Sequence, residues 1–150
     1  MRGLVQRVTK ASVAIVAGEG AGEVVGSIGP GLCVLVGVTH DDTEATARKL
    51  ADKIWRLRVI DDDNGVMNRS IADTGGEVLI ISQFTLYGDT TGGRRPSWVN
   101  AARPEHAEPL VQAVVDHLRG SGAKVATGRF RTEMAVSLTN DGPVTLLLEV

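Results

Sequence analysis

The sequence predicts an α/β fold in a single domain spanning residues 1–150, a mixed and mostly antiparallel β-sheet with two main helices packed on it. Three observations predict this. Runs rich in Val, Ile and Thr outnumber helical runs, and several are separated only by short turns. Apolar residues fall at helical spacing in just two long segments. The chain of 150 residues, free of repeats, low-complexity tracts and linkers, suits one core.

The first segment, GLVQRVTKASVAIV (3–16), alternates and predicts one or two strands. GEVVGSIGPGLCVLVGV (22–38) predicts two more, with Gly29-Pro30-Gly31 as the turn between them. Leu32–Val38 is apolar without alternation, as expected of a strand covered on both faces. Ala47, Leu50, Ala51, Ile54 and Leu57 then repeat at helical spacing, and Asp41 followed by Glu44 resembles a capping box; a helix is expected over about 42–58. DDDNGVMN (61–68) is an acidic turn centred on Asn64-Gly65. The alternating ligands and distal glutamate of a calcium loop are missing. Residues 76–87 predict the central strand, and 88–98 a Gly-rich loop with two adjacent arginines. In RPEHAEPLVQAVVDHLRGSG, Leu110, Val111, Val114, Val115 and Leu118 share one helical face and Gly120 lies past its end. Pro109 predicts a late start or a kink in that helix. AKVATGRF follows, and EMAVSLTNDGPVTLLLEV predicts two strands joined at Asn140–Pro143.

Composition narrows the function. Apolar residues make up 43% and charged residues 23%, an ordinary globular balance, and the net charge of −2 supplies no global field for a polyanion. Any nucleic-acid partner needs a local basic patch. The single Cys33 excludes a disulfide within the chain and fits a reducing compartment. The N-terminal segment lacks a signal-like run, and no apolar window reaches the ~18 residues of a membrane span. A cytoplasmic location away from membranes is expected.

Nucleophilic catalysis needs a Ser, Cys or Thr with a base and an orienting group. The available bases, His40, His106 and His117, read as helix-cap or helix-surface residues. No G-x-S-x-G elbow, zinc spacing, phosphate loop or dinucleotide fingerprint is present. Two segments stand out instead. The most hydrophobic strand ends in Ser82-Gln83-Phe84-Thr85. A strand end that turns there can present backbone N–H groups to an oxyanion, or its polar side chains can simply satisfy local backbone groups. In NDGPVT (140–145), an X–Pro bond loses little by being cis, and such a turn can aim two carbonyl oxygens the same way; an ordinary hairpin turn is the alternative.

SQFTLYGDT (82–90) together with NDGPVT closely resembles the D-aminoacyl-tRNA deacylase family (the D-tyrosyl-tRNA(Tyr) deacylase family) of bacterial and eukaryotic type. The likeness continues in VQRVTKASV (5–13), GPGLCVLVGV (29–38), MN (67–68), RPSW (95–98) and TGRFRTEMAVSLTNDGPVT (127–145), in the same order. Tyr87-Gly88 departs from relatives that carry small residues after the FTL segment.

The resemblance implies a layered, barrel-like sheet and a homodimer with its active site at the subunit interface. It implies hydrolysis of the ester between a D-amino acid and the 3′-terminal adenosine of tRNA, without a cofactor or metal. Carried over by match, Ser82, Gln83, Phe84 and Thr85 form the catalytic floor. Gly142 and a cis Pro143 from the other subunit reject L-amino acids, and Phe130 and Met134 line the adenosine pocket. Water attacks with help from the substrate's 2′-hydroxyl, and glycyl-tRNA is expected to be cleaved as well. Arg94, Arg95, Arg129 and Arg131 are candidate tRNA contacts, and Arg7 a brace for the Gly-Pro segment. The same groups would also serve a non-catalytic dimer that binds nucleotides or tRNA ends, or a Thr- or Ser-dependent hydrolase of small esters.

Overall fold

A computed structural model describes all residues from Met1 to Val150. Strand β1 (Arg2–Ile15) organises the sheet. Along one edge it pairs antiparallel with β8 (Met134–Glu149) over nearly its whole length, from Arg2↔Glu149 to Ile15↔Met134. Along its other edge it pairs first with β3 (Gly31–Gly37) and then with β2 (Val24–Ile28). Both are antiparallel to β1, so β2 and β3 run in the same direction. Gly29-Pro30 is therefore a jog between consecutive stretches of one edge, and the expected turn at Gly29-Pro30-Gly31 does not reverse the chain.

The sheet continues through parallel pairs, β3 with β6 (Glu77–Ser82) and β6 with β7 (Lys124–Thr127). Two crossover helices make these parallel pairs possible: α1 (Glu44–Trp55) before β6, and α3 (Pro104–Gly120) before β7. A small hairpin, β4 (Ile60–Asp61) with β5 (Met67–Arg69), and a one-turn helix α2 (Ile71–Thr74) complete the chain. The sheet rolls until β2 returns to β7. A Cβ on Gly26 would sit 2.6 Å from the Thr127 carbonyl oxygen, so only glycine permits that approach.

Both faces of the sheet are covered. On one, Leu32, Val34, Val36, Val78 and Ile80 pack with Leu50, Ile54, Val114 and Leu118 of the two long helices. Fully burying each of the larger side chains contributes about 1.5–3 kcal/mol. Inside the roll, Val8, Val13, Ile28, Cys33, Leu79 and Ile81 form a second, smaller core. The unbroken apolar run at 32–38 is thus explained: odd and even positions face different cores. Burial raises the Cys33 thiol pKa to about 11.

Local chemistry corrects several expectations. Helix α1 starts at Glu44 behind Thr43, whose hydroxyl accepts from the Thr46 N–H while the Thr46 hydroxyl accepts from the Thr43 N–H. The Asp41–Glu44 box does not form; neighbouring Asp42 instead accepts from the Thr39 amide (2.8 Å) and from the Met1 ammonium (2.6 Å). Pro109 neither delays nor ends α3. It lies on the exposed face with Glu105, whose carbonyl it leaves without an N–H, so water can take that bond. The central strand stops at Ser82, and Phe84–Tyr87 form a 3₁₀ turn. Residues 134–149 are one strand on one partner, where two strands joined by a turn were expected. Between Val8↔Asn140 and Gln6↔Thr145, four residues of β8 stand opposite Arg7 alone, so Asp141–Val144 bulges out without reversing the chain.

Candidate active site

The carboxyl end of β6 opens into a cleft of about 730 Å³. Ser82, Gln83 and Phe84 form its floor, and Phe130 and Met134 one side. Trp98 and the start of α3, at Arg103, Pro104 and Ala107, form the other, while Arg131 and Thr132 lie at the rim beside Phe130. Of the chain's five aromatic residues, Phe84, Trp98 and Phe130 line this cleft, so the scarce aromatics are concentrated where flat ligands can stack.

The floor is built by the end of the parallel ladder. The Gln83 N–H still reaches the Val36 carbonyl (2.8 Å), and the chain then tightens into the 3₁₀ turn. Within that turn the Leu86 N–H returns to the Gln83 carbonyl (3.3 Å), which leaves the N–H groups of Phe84 and Thr85 with no partner in it. Successive free N–H groups beside a cleft suit a developing oxyanion. The Gln83 side-chain amide donates to the Thr85 hydroxyl, occupying its oxygen; Thr85 itself lies just outside the residues lining the cleft.

No histidine, carboxylate, cysteine or lysine lines the cleft. His40 contacts the Val99 carbonyl (2.7 Å), His106 the Asp42 carbonyl (2.9 Å) and His117 the Asp52 carboxylate (3.0 Å). All three serve structure elsewhere. Tyr87, nearby, has its pKa pushed up to about 12, first by burial and then by the charge of Asp42, with Arg2 opposing; the Arg2 guanidinium lies 4.7 Å from the ring centre.

The Trp98 wall is held firmly. Asp89 and Ser97 bridge through two backbone bonds (2.9 and 2.8 Å), the Thr39 hydroxyl donates to the Asn100 carbonyl (2.6 Å), and Ala102 N–H reaches Val38 (2.9 Å). Phe84 and Trp98 meet edge to face, 5.2 Å between ring centres and 71° between planes. Gly88 sits against this wall. A Cβ at position 88 would fall 2.6 Å from the Trp98 ring, so the bulky indole requires glycine there.

The remaining site residues fall elsewhere. Gly142 and Pro143 lie in the β8 bulge, exposed, with their peptide bond cis. That bulge is level with Arg7 and Leu32, whereas Ser82 is level with Val36. The separation is roughly 13 Å along the strands and roughly three strand spacings across the sheet. One chain therefore does not bring Gly142-Pro143 to Ser82–Thr85. Arg7 holds the bulge from beneath: Nε donates to the Asp141 carbonyl (3.1 Å), and Nη1 to the Val59 carbonyl (2.8 Å) and the Asp61 carboxylate (3.0 Å). The arginines divide as well. Arg94 and Arg95 are exposed in the loop and do not line the cleft, and Arg129 is paired with Glu23 (3.1 Å). Arg103, missed by sequence reasoning, lines the cleft with Arg131.

Comparison with known proteins agrees along the full length. The D-Tyr-tRNA(Tyr) deacylase family model matches residues 4–149. The chain is 60% identical to a D-aminoacyl-tRNA deacylase of Nocardia farcinica, covering 99% of each chain. It is 55% identical to one of Symbiobacterium thermophilum, covering 99% of this chain and 95% of that protein. Among solved structures, it resembles a c-Myc DNA unwinding element binding protein at 36% identity and TM-score 0.89, over 100% of this chain and 99% of that one. A probable eukaryotic D-amino acid tRNA deacylase, at 14% identity and TM-score 0.84 over 99% and 98% of the two chains, shares the fold.

Proposed function

Because the chain belongs to the D-Tyr-tRNA(Tyr) deacylase family, we propose that it hydrolyses the ester of D-aminoacyl-tRNA, releasing free D-amino acid and tRNA, as a homodimer with its sites between subunits. The enzyme class is that of its relatives, a hydrolase. The cleft supports this reading most. It combines aromatic walls for a terminal adenosine with free backbone N–H groups at the strand end and contains no acid–base side chain.

An aminoacyl ester is already activated, so positioning and oxyanion stabilisation can supply most of what hydrolysis requires. In this mechanism the terminal adenosine lies against Phe130 and Met134, and the ester carbonyl oxygen points at the N–H groups of Phe84 and Thr85. The vicinal 2′-hydroxyl of the substrate assists the attacking water, a role no protein side chain here is placed to fill. Gln83 and Thr85 hold each other and orient the floor.

Selection against L-amino acids is assigned to the bulge of the partner subunit. The two enantiomers carry identical groups, so attraction alone separates them poorly; backbone oxygens placed where an L side chain would project reject it by clash and desolvation. Two features support the cross-subunit arrangement. Gly142-Pro143 lies far from the cleft of its own chain. No residue of β8 is buried, leaving a 16-residue strand with one open edge and apolar groups such as Leu146 and Leu147 uncovered.

The test uses D-aminoacyl-, L-aminoacyl- and glycyl-tRNA, each with a normal or 2′-deoxy terminal adenosine. Cleavage of the D and glycyl substrates, refusal of the L substrate and loss of turnover with the deoxy ends are expected. Turnover of both D forms that vanishes in Thr85→Ala would assign a protein nucleophile instead. Resistance of glycyl-tRNA alone would contradict the wall. Tight binding without turnover would favour a nucleic-acid-binding role, the property for which the 36%-identical protein is named.

A further inference from the structure

The charge of the cleft does not match the group it would hydrolyse. The protein carries a net charge of −2, yet the cleft lining contains two arginines, Arg103 and Arg131, and no acidic residue. Neither arginine takes part in any of the chain's eight ion pairs, and neither donates a side-chain hydrogen bond. Both are exposed, so they do not support the fold. The aminoacyl end of the substrate is no partner for them, because its α-ammonium, with an ordinary pKa of about 8, is cationic or neutral near pH 7. The adenine and ribose are uncharged. Among the parts of an aminoacyl-tRNA end, the anions are the phosphodiesters.

We propose that Arg103 and Arg131 clamp the phosphodiesters on the 5′ side of the terminal adenosine, so that the cleft reads the single-stranded end of the RNA and not the terminal nucleoside alone. The inference rests on the deacylase reading above and assigns the substrate's anionic part to named residues. Arg103 is fixed at the start of α3 by Ala102, whose N–H is tied to Val38 (2.9 Å). Arg131 projects from the turn between Phe130 and Met134, with φ of 57°, and is the chain's one non-glycine residue in the left-handed region. The guanidinium fork matches phosphate oxygens in a way an ammonium does not.

Kinetics on two substrates test this: D-aminoacyl-tRNA, and 3′-O-(D-aminoacyl)adenosine, which has no phosphate. With two contacts at a slope of about −0.7 per contact, wild-type kcat/KM on the tRNA should fall about sevenfold between 50 and 200 mM salt. The Arg103→Ala/Arg131→Ala double variant should lower the tRNA-to-nucleoside ratio of kcat/KM by roughly tenfold and flatten the salt slope by about 1.4. Arg→Lys variants should recover part of both. An equal loss on both substrates, or an unaltered salt slope, overturns the clamp while leaving the deacylase reading intact. A wild-type protein that cleaves neither substrate overturns that reading and the clamp with it.

Discussion

Cys33 and Thr85 show how little a residue's type reveals without its surroundings. Cys33 is buried in the roll with its thiol pKa raised to about 11, so a thiol reagent at pH 8 should label it only after unfolding. Labelling of the native protein within minutes would contradict the packing. Thr85 looks like a nucleophile but has no base nearby, and its oxygen is engaged by Gln83. Because no titratable side chain other than arginine lines the cleft, the pH profile of kcat/KM should lack a limb belonging to a histidine. His117→Gln, which removes the pairing with Asp52 away from the cleft, should leave the profile unaltered. At this scale the lining of the cleft was legible where its residues are contiguous, as in Ser82–Phe84, or held in one short turn, as in Phe130 and Met134. Of the four arginines the sequence offered, only Arg131 lines the cleft. Arg129 is neutralised by Glu23, 106 positions away, and Arg103 reaches the cleft only because of which end of α3 faces it.

The strands and helices were largely readable from apolar spacing, but their relations were not. Hydrophobic pattern does not say which edge a neighbour takes, so the β2–β3 connection read as a turn and the two halves of β8 as separate strands. Close backbone approach decides the first case. A Cβ on Gly31 would lie 1.9 Å from the Glu77 carbonyl oxygen, at the first rung of the parallel β3–β6 pair. Gly31→Ala should therefore cost about 3 kcal/mol, measurable by urea unfolding. Thr43→Ala, which removes the cap of α1, should cost about 1 kcal/mol by the same measurement. A cost for Gly31→Ala no larger than for the cap would show that the two strands can part without penalty.

For the whole molecule, acid should be the sensitive side of the stability curve. Asp62, Asp73 and Asp89 have pKa values below the usual carboxylate range, chiefly because backbone N–H groups at Val66, Ser70 and Thr91 donate to their ionised forms. A lowered folded pKa gives stability that is complete above the unfolded value, near 3.8, and is lost as pH falls through the folded value. All three lie at the surface, Asp73 exposed and Asp62 and Asp89 half-buried, so the effect is small and should appear only below about pH 4. The sequence pointed to a homodimer only through the family likeness. Nothing in the alternation of residues 134–149 reveals that the strand they form has no cover. The distance between the cleft and the β8 bulge within a chain bears on assembly too. Mixing two variants tests this: one disabled at Gln83, which should cleave nothing, and one disabled at Gly142, which should cleave L- as well as D-aminoacyl-tRNA. Random exchange makes half the pairs hybrid and puts half of the working clefts opposite an intact bulge, so cleavage of the L substrate should fall by about half while cleavage of the D substrate holds.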